Sequence, residues 1–198
     1  AVTGNVQDVL DDANVSEAAR PVICEVGAGT GYYLAHTLDS IPNSRGVGID
    51  VSVPAAKHLA KSHPRLGAVV ADAWARLPLR DGSIDALTVV FAPRNAEEFA
   101  RVLKPGGQVV VLTATTGHLG ELREPLGIID VERGKVERMI SQAEGHLVPV
   151  GDPELVEFGM NLNQSAIAAQ IGMSPSARHI HPEVLQERIA ALPAEMYV

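Results

Sequence analysis

This 198-residue chain has one cysteine, one tryptophan and only six other aromatic residues. Cys24 by itself excludes an internal disulfide and any multi-cysteine zinc site within these residues. No apolar run reaches the length of a membrane span, and no signal-peptide pattern is seen, so the cytoplasm is the expected compartment. Cations are also scarce: 16 Lys and Arg stand against 24 Asp and Glu, a formal net charge of −8. That balance argues against broad, non-specific nucleic-acid binding, which needs a basic surface, while leaving room for a local basic patch. There is no initiator Met, and the opening AVTGNVQDVLDDA reads as part of an amphipathic helix, so the chain is expected to be a piece of something longer.

What is present is ordinary for a globular domain: 46% hydrophobic and 20% charged residues. Short apolar runs alternate with helical patterns. Strands are expected at Val22–Gly27, Arg45–Asp50, Leu66–Asp72, Ile84–Phe91 and Gln108–Thr113, with helices at Tyr32–Ser40, Val53–Ser62 and Ala96–Leu103 between them. Ser52 suits a cap with Pro54 in the first turn, and Lys104-Pro-Gly-Gly107 reads as a break after the third of these helices. This alternation predicts an α/β fold, a Rossmann-like doubly wound, mostly parallel sheet. Beyond Thr116 the pattern loosens: a short helix at His118–Arg123, a polar helix at Val131–Ala143, strand material at His146–Leu162, a helix from an Asn163 cap to Gly172, a loop at Met173–His179 and a helix at Pro182–Ala191. Ala194–Val198 begins a last strand. One domain over 1–198 is expected, with 1–20 as a helical lead-in and 117–198 as additions on the substrate side.

The chemistry begins at VICEVGAGTGYYL, a strand running into a glycine turn and a helix. A dinucleotide fingerprint, G-x-G-x-x-G, needs its third glycine where Tyr32 stands, and a phosphate loop needs a Gly-Lys-Ser/Thr that is absent. The pattern present is E-x-G-x-G-x-G. An acid at Glu25 suits a ligand with a positive pole, and S-adenosylmethionine carries an ammonium and a sulfonium with no phosphate. Gly27, Gly29 and Gly31 let the backbone approach such a ligand. Asp50 and Asp72 end the next two strands, placed to accept from ribose hydroxyls and from an adenine amino group. Either acid alone also reads as a loop residue or helix cap.

The blocks E-x-G-x-G-x-G, G-I-D, D-A-x-x-x-L-P-L-x-D-G-S-I-D-A-L and L-K-P-G-G resemble the class I S-adenosylmethionine-dependent methyltransferases over Val22–Thr113. That resemblance implies a seven-stranded sheet, with its last strand short here. Further along, Phe91-Ala-Pro-Arg-Asn95, Gly117-His118-Leu-Gly-Glu-Leu122 and Met173-Ser-Pro-Ser-Ala-Arg-His179 are similar to the 23S rRNA (guanine-N1)-methyltransferases, in the branch that includes the tylosin-resistance methyltransferase. The resemblance implies 23S rRNA as partner, reached with an N-terminal cysteine-rich zinc module that these residues lack. It also implies cofactor contacts at Gly29, Thr30 and His118; the general logic of the fold adds Glu25, Gly27, Gly31, Asp50, Asp72 and Ala73. His118 alternatively caps or packs a helix. No metal is expected in this chain: His179 and His181 have no carboxylate or thiolate company. A homodimer stays open.

Methyl transfer to guanine N1 would be in-line, with alignment in a dry pocket as the protein's main task. Arg94 could stabilise developing charge on O6 or hold a phosphate, and Asn95 could bond the base edge. Phe91, Pro93 and Trp74 are candidates to flank a flipped base, and Arg178 and His179 to wall the substrate pocket. Asn95-Ala-Glu-Glu98 also reads as a capping box, Arg94 as a solvated cation, and Trp74 as a residue packed on adenine or on the core. No general base stands out.

Overall fold

The computed structural model describes residues 2–13, 15, 20–131 and 133–198; within the helical turn at 175–178 the side chains of Pro175 and Arg178 lie outside the described set. The chain divides into two compact units. The first comprises residues 1–113 and 138–150, the second 114–137 and 151–198.

In the first unit, α1 (Val2–Asp12) is followed by β1 (Val22–Val26), α2 (Tyr32–Ser40), β2 (Arg45–Asp50), α3 (Val53–Ser62), β3 (Leu66–Val70), β4 (Ile84–Val90), α4 (Ala96–Val102) and β5 (Leu103–Leu112). The strands form one parallel sheet in the order β3-β2-β1-β4-β5. The central strands read as continuous apolar runs because helices cover them, and every residue of β4 is buried. α1 buries Val6, Val9 and Leu10, the i, i+3, i+4 stripe of an amphipathic helix, against Leu34, Leu38 and Ile41. On the other side, Phe99 and Val102 pack with Cys24, Ile49, Leu87 and Val89. Ser52 caps α3 through Ala55 N–H, with a proline in the first turn, as its sequence suggests.

The second unit holds α5 (Gly120–Leu126), β6 (Asn161–Asn163), α7 (Gln164–Gly172), a 3-10 turn (Pro175–Arg178), α8 (Pro182–Ala190) and β7 (Glu195–Tyr197). Leu122, Leu126, Ile167, Ile171 and Ile189 form its own small core. α6 (Lys135–Ala143) spans the boundary between the units and has no buried residue. Among the described residues no helix is long and apolar enough to cross a membrane.

The structure departs from the sequence expectations in five places. Seven strands are present among the described residues, but as a parallel sheet of five and a separate antiparallel pair, β6 with β7. Lys104-Pro-Gly-Gly107 does not separate helix from strand: β5 starts at Leu103 and absorbs it through a register irregularity opposite Ile84–Ala86. Pro105 is tolerated because β5 is an edge strand. The expected strand material from His146 is irregular as far as Met160: residues 151–159 are all exposed, and the apolar side chains among them, Leu155, Val156 and Phe158, pack into neither unit's core. The polar helix starts at Lys135, just past Gly134 in the left-handed region at φ 69°. The helix expected at His118 starts instead at Gly120, with Leu119 left-handed as its cap.

Candidate active site

In an open parallel sheet, ligands bind at the carboxyl ends of the strands where the order reverses. Here that point lies between β1 and β4, which are neighbours although β2 and β3 intervene in sequence. Glu25 lies near the end of β1 there, Gly27 and Gly29 follow it, and Phe91–Asn95 follow β4.

The glycine turn is held from below by β2: Gly27 and Ala28 N–H donate to Ile49 O at 2.8 and 3.0 Å. All three glycines have positive φ, 72°, 56° and 91°. Their reasons differ. A Cβ on Gly27 would lie 2.3 Å from Ala92 Cβ, so this glycine lets the exits of β1 and β4 touch. A Cβ on Gly29 would meet nothing within 4 Å, so its freedom serves the turn's shape alone. A Cβ on Gly31 would strike Ser62 Oγ at 2.5 Å and Leu59 at 2.7 Å; this glycine seats α2 against α3. Thr30 is exposed at the turn's tip.

Glu25 is 1% exposed, and its Oε2 has no hydrogen-bond partner among the described residues. Burial pushes its pKa up to about 8, opposed by the Leu34 backbone N–H that the carboxylate accepts at the head of α2. Cys24 beside it is raised to about 12, by burial first and by Glu25 second, so it is an inert thiol. A buried carboxyl with an orphaned oxygen fits a ligand that brings a positive pole to it.

Asp50 accepts from Gly29 N–H (2.8 Å, Oδ2) and Ser52 N–H (2.8 Å, Oδ1), tying the glycine turn to the end of β2. An ionised carboxylate has about four acceptor sites, so this half-buried group keeps capacity for ribose hydroxyls. Asp72 is exposed and accepts from Trp74 N–H at 2.9 Å, an Asx-type turn that shapes the loop after β3. Ala73 is buried, whereas Trp74 is 67% exposed, which removes the reading of Trp74 as a core residue.

Asn95 joins that loop to the exit of β4. Its Nδ2 donates to Ala73 O (3.2 Å) and Trp74 O (3.3 Å), while its Oδ1 accepts from Glu98 N–H (3.4 Å) as the cap of α4. The cap therefore forms, but the reciprocal half of the capping box does not. Glu98 turns away to accept Leu77 N–H at 2.7 Å and to pair with Arg101 at 2.6 Å, and the Arg101 hydrogen bond holds its carboxyl below the usual range. Every donor of the Asn95 amide is engaged by the protein, so this side chain positions two loops. Arg94 beside it is half-buried, and Pro93 is exposed. Phe91 is 56% exposed at φ 50°, a conformation uncommon for a bulky residue and a mark of a site held under constraint.

Two residues here escaped the sequence reading. Tyr32 and Tyr33 open α2 directly after the glycine turn, 76% and 37% exposed, with their rings edge to face at 5.2 Å. Tyr32 counted there only as a blocked third glycine. The available signal was an aromatic pair in a helical first turn, in a chain with seven aromatic residues.

The remaining candidates belong to the second unit. His118 is half-buried ahead of α5; burial first, then Arg123 and Lys135, lowers its pKa. Arg123 anchors that turn, donating to His118 O at 3.1 Å and to Thr116 O and pairing with Asp130 at 3.1 Å. His179 is exposed at the end of the 3-10 turn, and the Arg178 side chain lies outside the described residues. Among the described residues, no group of three or more His, Cys, Asp or Glu is placed to hold a metal ion.

Comparison with known proteins agrees with this geometry. The family described as Methyltransferase domain matches residues 23–107. The 23S rRNA (guanine(748)-N(1))-methyltransferase of Streptomyces fradiae is 39% identical over 175 residues, 88% of this chain and 62% of that one. A Micromonospora griseorubida protein provisionally named 23S rRNA (guanine-N(1)-)-methyltransferase is 42% identical over 171 residues, 86% of this chain and 58% of that one. The chain thus spans about three fifths of the length of these relatives. Among solved structures, a provisionally named methyltransferase from an antibiotic biosynthesis pathway of Anabaena variabilis superposes with a TM-score of 0.59 at 14% identity, covering 94% of this chain and 83% of that one, a likeness of fold.

Proposed function

From its membership of the class I S-adenosylmethionine-dependent methyltransferases, we propose that this chain is the catalytic part of an enzyme that methylates N1 of a guanine in 23S rRNA. One observation carries the substrate. The general methyltransferase match ends at residue 107, whereas the similarity to the rRNA enzymes covers 86–88% of the chain and so extends into the second unit. Substrate identity is carried by what lies beyond the cofactor half.

The residues fit the cofactor. Glu25 would face its positive pole, Gly27 and Gly29 would let the backbone approach it, Asp50 would accept from the ribose, and Asp72 with Ala73 would border the adenine. Thr30 and Gly31 complete the turn; His118, in the second unit, is the further candidate that the resemblance adds. S-adenosylmethionine supplies a methyl group on a sulfonium, transferable to a nucleophile in line with the carbon–sulfur bond. The protein's part is to align the guanine and keep water out. N1 of guanine gains nucleophilicity as its proton leaves and charge moves to O6; Arg94, in the segment after β4, would stabilise that charge. Asn95 acts by holding the 73–74 loop and α4 in register. Phe91 and Pro93 would flank the base; Arg178 and His179, which belong to the second unit, are the further substrate candidates.

RNA recognition is shared with a cysteine-rich zinc module in the longer protein, which acts in the cytoplasm, as a single chain or a homodimer. The test is methylation of deproteinised 23S rRNA by the complete gene product, with the modified base mapped by reverse-transcriptase arrest, since N1-methylguanine blocks pairing. Arrest at one guanine is expected. Methylation of a small metabolite without RNA labelling, or cofactor binding without transfer to any acceptor, would overturn the reading.

A further inference from the structure

The three neighbouring strands β1, β2 and β3 carry acids at their carboxyl ends: Glu25 and Asp50 within β1 and β2, and Asp72 just beyond β3. At their amino ends each carries an arginine. Arg20 stands two residues before β1, Arg45 opens β2, and Arg65 immediately precedes β3. The sheet itself locks them side by side: Arg45 N–H donates to Pro21 O at 2.8 Å and Gly46 N–H to Arg65 O at 2.9 Å. With adjacent strands about 4.8 Å apart, three guanidinium-bearing positions fall within about 10 Å of sheet edge.

These positions line an open concavity of about 720 Å³, together with Asn43, Ser44 and Pro64. Arg20 and Arg45 are exposed. Arg65 is half-buried, and its guanidinium donates to Ser44 O (2.7 Å), Ser44 Oγ (3.1 Å), Ile41 O (3.2 Å) and Leu38 O, so it forms a fixed cationic wall. Arg20 (φ 50°) and Asn43 (φ 63°) both hold left-handed backbone, unusual for residues other than glycine. Of the described acids nearby, Asp85 pairs with Lys104 at 2.7 Å and accepts Val22 N–H at 2.8 Å, while exposed Asp39 is hydrogen-bonded at 3.2 Å by His63 Nε2, the His63 Nδ1 accepting Arg65 N–H at 3.0 Å. In a chain of net charge −8, this edge is a local concentration of cations.

We propose that the amino-terminal edge of β1–β3 is a second RNA contact, a track for phosphodiester groups in which Arg20 and Arg45 each neutralise a phosphate beside the Arg65 wall. The proposal rests on the rRNA reading above. The spacing matches successive phosphates along a strand rather than one small anion, and guanidinium forks suit phosphate oxygens. The track lies one strand length, about 15–20 Å, from the crevice at the other edge. An RNA whose target base entered the crevice would be held there by its backbone, without sequence readout.

The test uses the complete gene product, with filter binding to deproteinised 23S rRNA from 50 to 300 mM KCl. The double variant Arg20→Ser/Arg45→Ser is expected to bind more weakly, with a salt slope shallower by about 1.4, roughly 0.7 per lost phosphate contact on single-stranded RNA. S-adenosylmethionine affinity and the rate at saturating RNA should be unchanged, and Arg45→Lys should keep the slope. Wild-type methylation of rRNA with the same slope in the double variant overturns the track alone. So does a slope lost equally in Arg45→Lys, which would mark a structural role. So does wild-type binding of inorganic phosphate at this edge without a change in RNA slope. No rRNA binding or methylation by the wild type overturns both this proposal and the functional reading.

Discussion

Cofactor binding should release a proton from Glu25. This carboxyl is buried with one oxygen unpartnered, and its pKa is raised to about 8. At pH 7 it is therefore about nine-tenths protonated in the free protein. A ligand that brings a positive pole to Oε2 needs the ionised form, and each pH unit below the pKa weakens its binding by a factor of about 10, or 1.36 kcal/mol. Relative to the plateau above pH 9, the Glu25 contribution costs about 10-fold in affinity at pH 7 and about 100-fold at pH 6. Glu25→Gln keeps the shape and removes the titration. At pH 9 it should bind roughly 10–100-fold more weakly than wild type, the worth of about 1.5–3 kcal/mol for a charged hydrogen bond, and by pH 6 the two should converge. The assay is isothermal titration calorimetry of S-adenosylmethionine in buffers of different ionisation enthalpy. The α-amino group of the ligand titrates in the same range. The wild-type minus Glu25→Gln difference isolates the side chain. A difference constant from pH 6 to pH 9, with equal proton release in both proteins, would falsify the assignment of Glu25 to the ligand's positive pole.

The same shift affects the protein without ligand. Because the folded-state pKa lies above the unfolded value, the folded state holds more protons between about pH 4.5 and 8. Wild type should lose on the order of 4 kcal/mol across that window relative to Glu25→Gln, read as diverging urea midpoints; parallel midpoints would show that the carboxyl is solvated. Gly27→Ala combines a left-handed φ, costing about 1–2 kcal/mol, with an overlap against Ala92 costing about 1–3, and should lower Tm by roughly 10 °C with loss of cofactor binding. An unchanged Tm would mean the β1 and β4 exits do not touch. Asp50→Ala should weaken S-adenosylmethionine sharply in calorimetry, since it removes the ribose acceptor and frees Gly29 and Ser52 N–H; unchanged affinity would show that the ribose contact is misplaced. Asn95→Ala should raise both the cofactor Kd and the KM for RNA, because it unties two loops at once; a fall in kcat alone would restore it to the base edge.

The first unit was largely legible because its signals are local. β2, α2 and α3 begin and end where their residues change from apolar runs to caps and turns, and Asn163 announces α7 as directly as Ser52 announces α3. What escaped depends on distant partners. Whether Glu98 reaches back to Asn95 or out to Leu77 N–H and Arg101 is decided by a loop 21 residues away, which no capping pattern contains. Likewise the two glycines that look equivalent in G-x-G-x-G differ by what lies across from them, Ala92 for Gly27 and α3 for Gly31. In the second unit the strands are three residues long, and the apolar residues ahead of β6, Leu155, Val156 and Phe158, stand exposed, so an apolar run there does not report burial. There the short stretches GHLGEL and MSPSARH carried more information than any pattern of hydrophobicity.

Net charge, read alone, argues against broad, non-specific nucleic-acid binding, but a sum does not report how the charges are distributed. Three acids are grouped at the carboxyl ends of β1–β3, where they suit a cationic ligand, and the parallel pairing of the strands places those ends on one edge. The same topology puts the residues that precede each strand on the opposite edge, so Arg20, Arg45 and Arg65, separated by 20 or more residues in sequence, become neighbours. A doubly wound sheet thereby keeps two fields of opposite sign a strand length apart, beyond the roughly 8 Å over which salt leaves charges in contact at physiological ionic strength. Each edge can then address its own ligand, and the sign of the total charge decides neither.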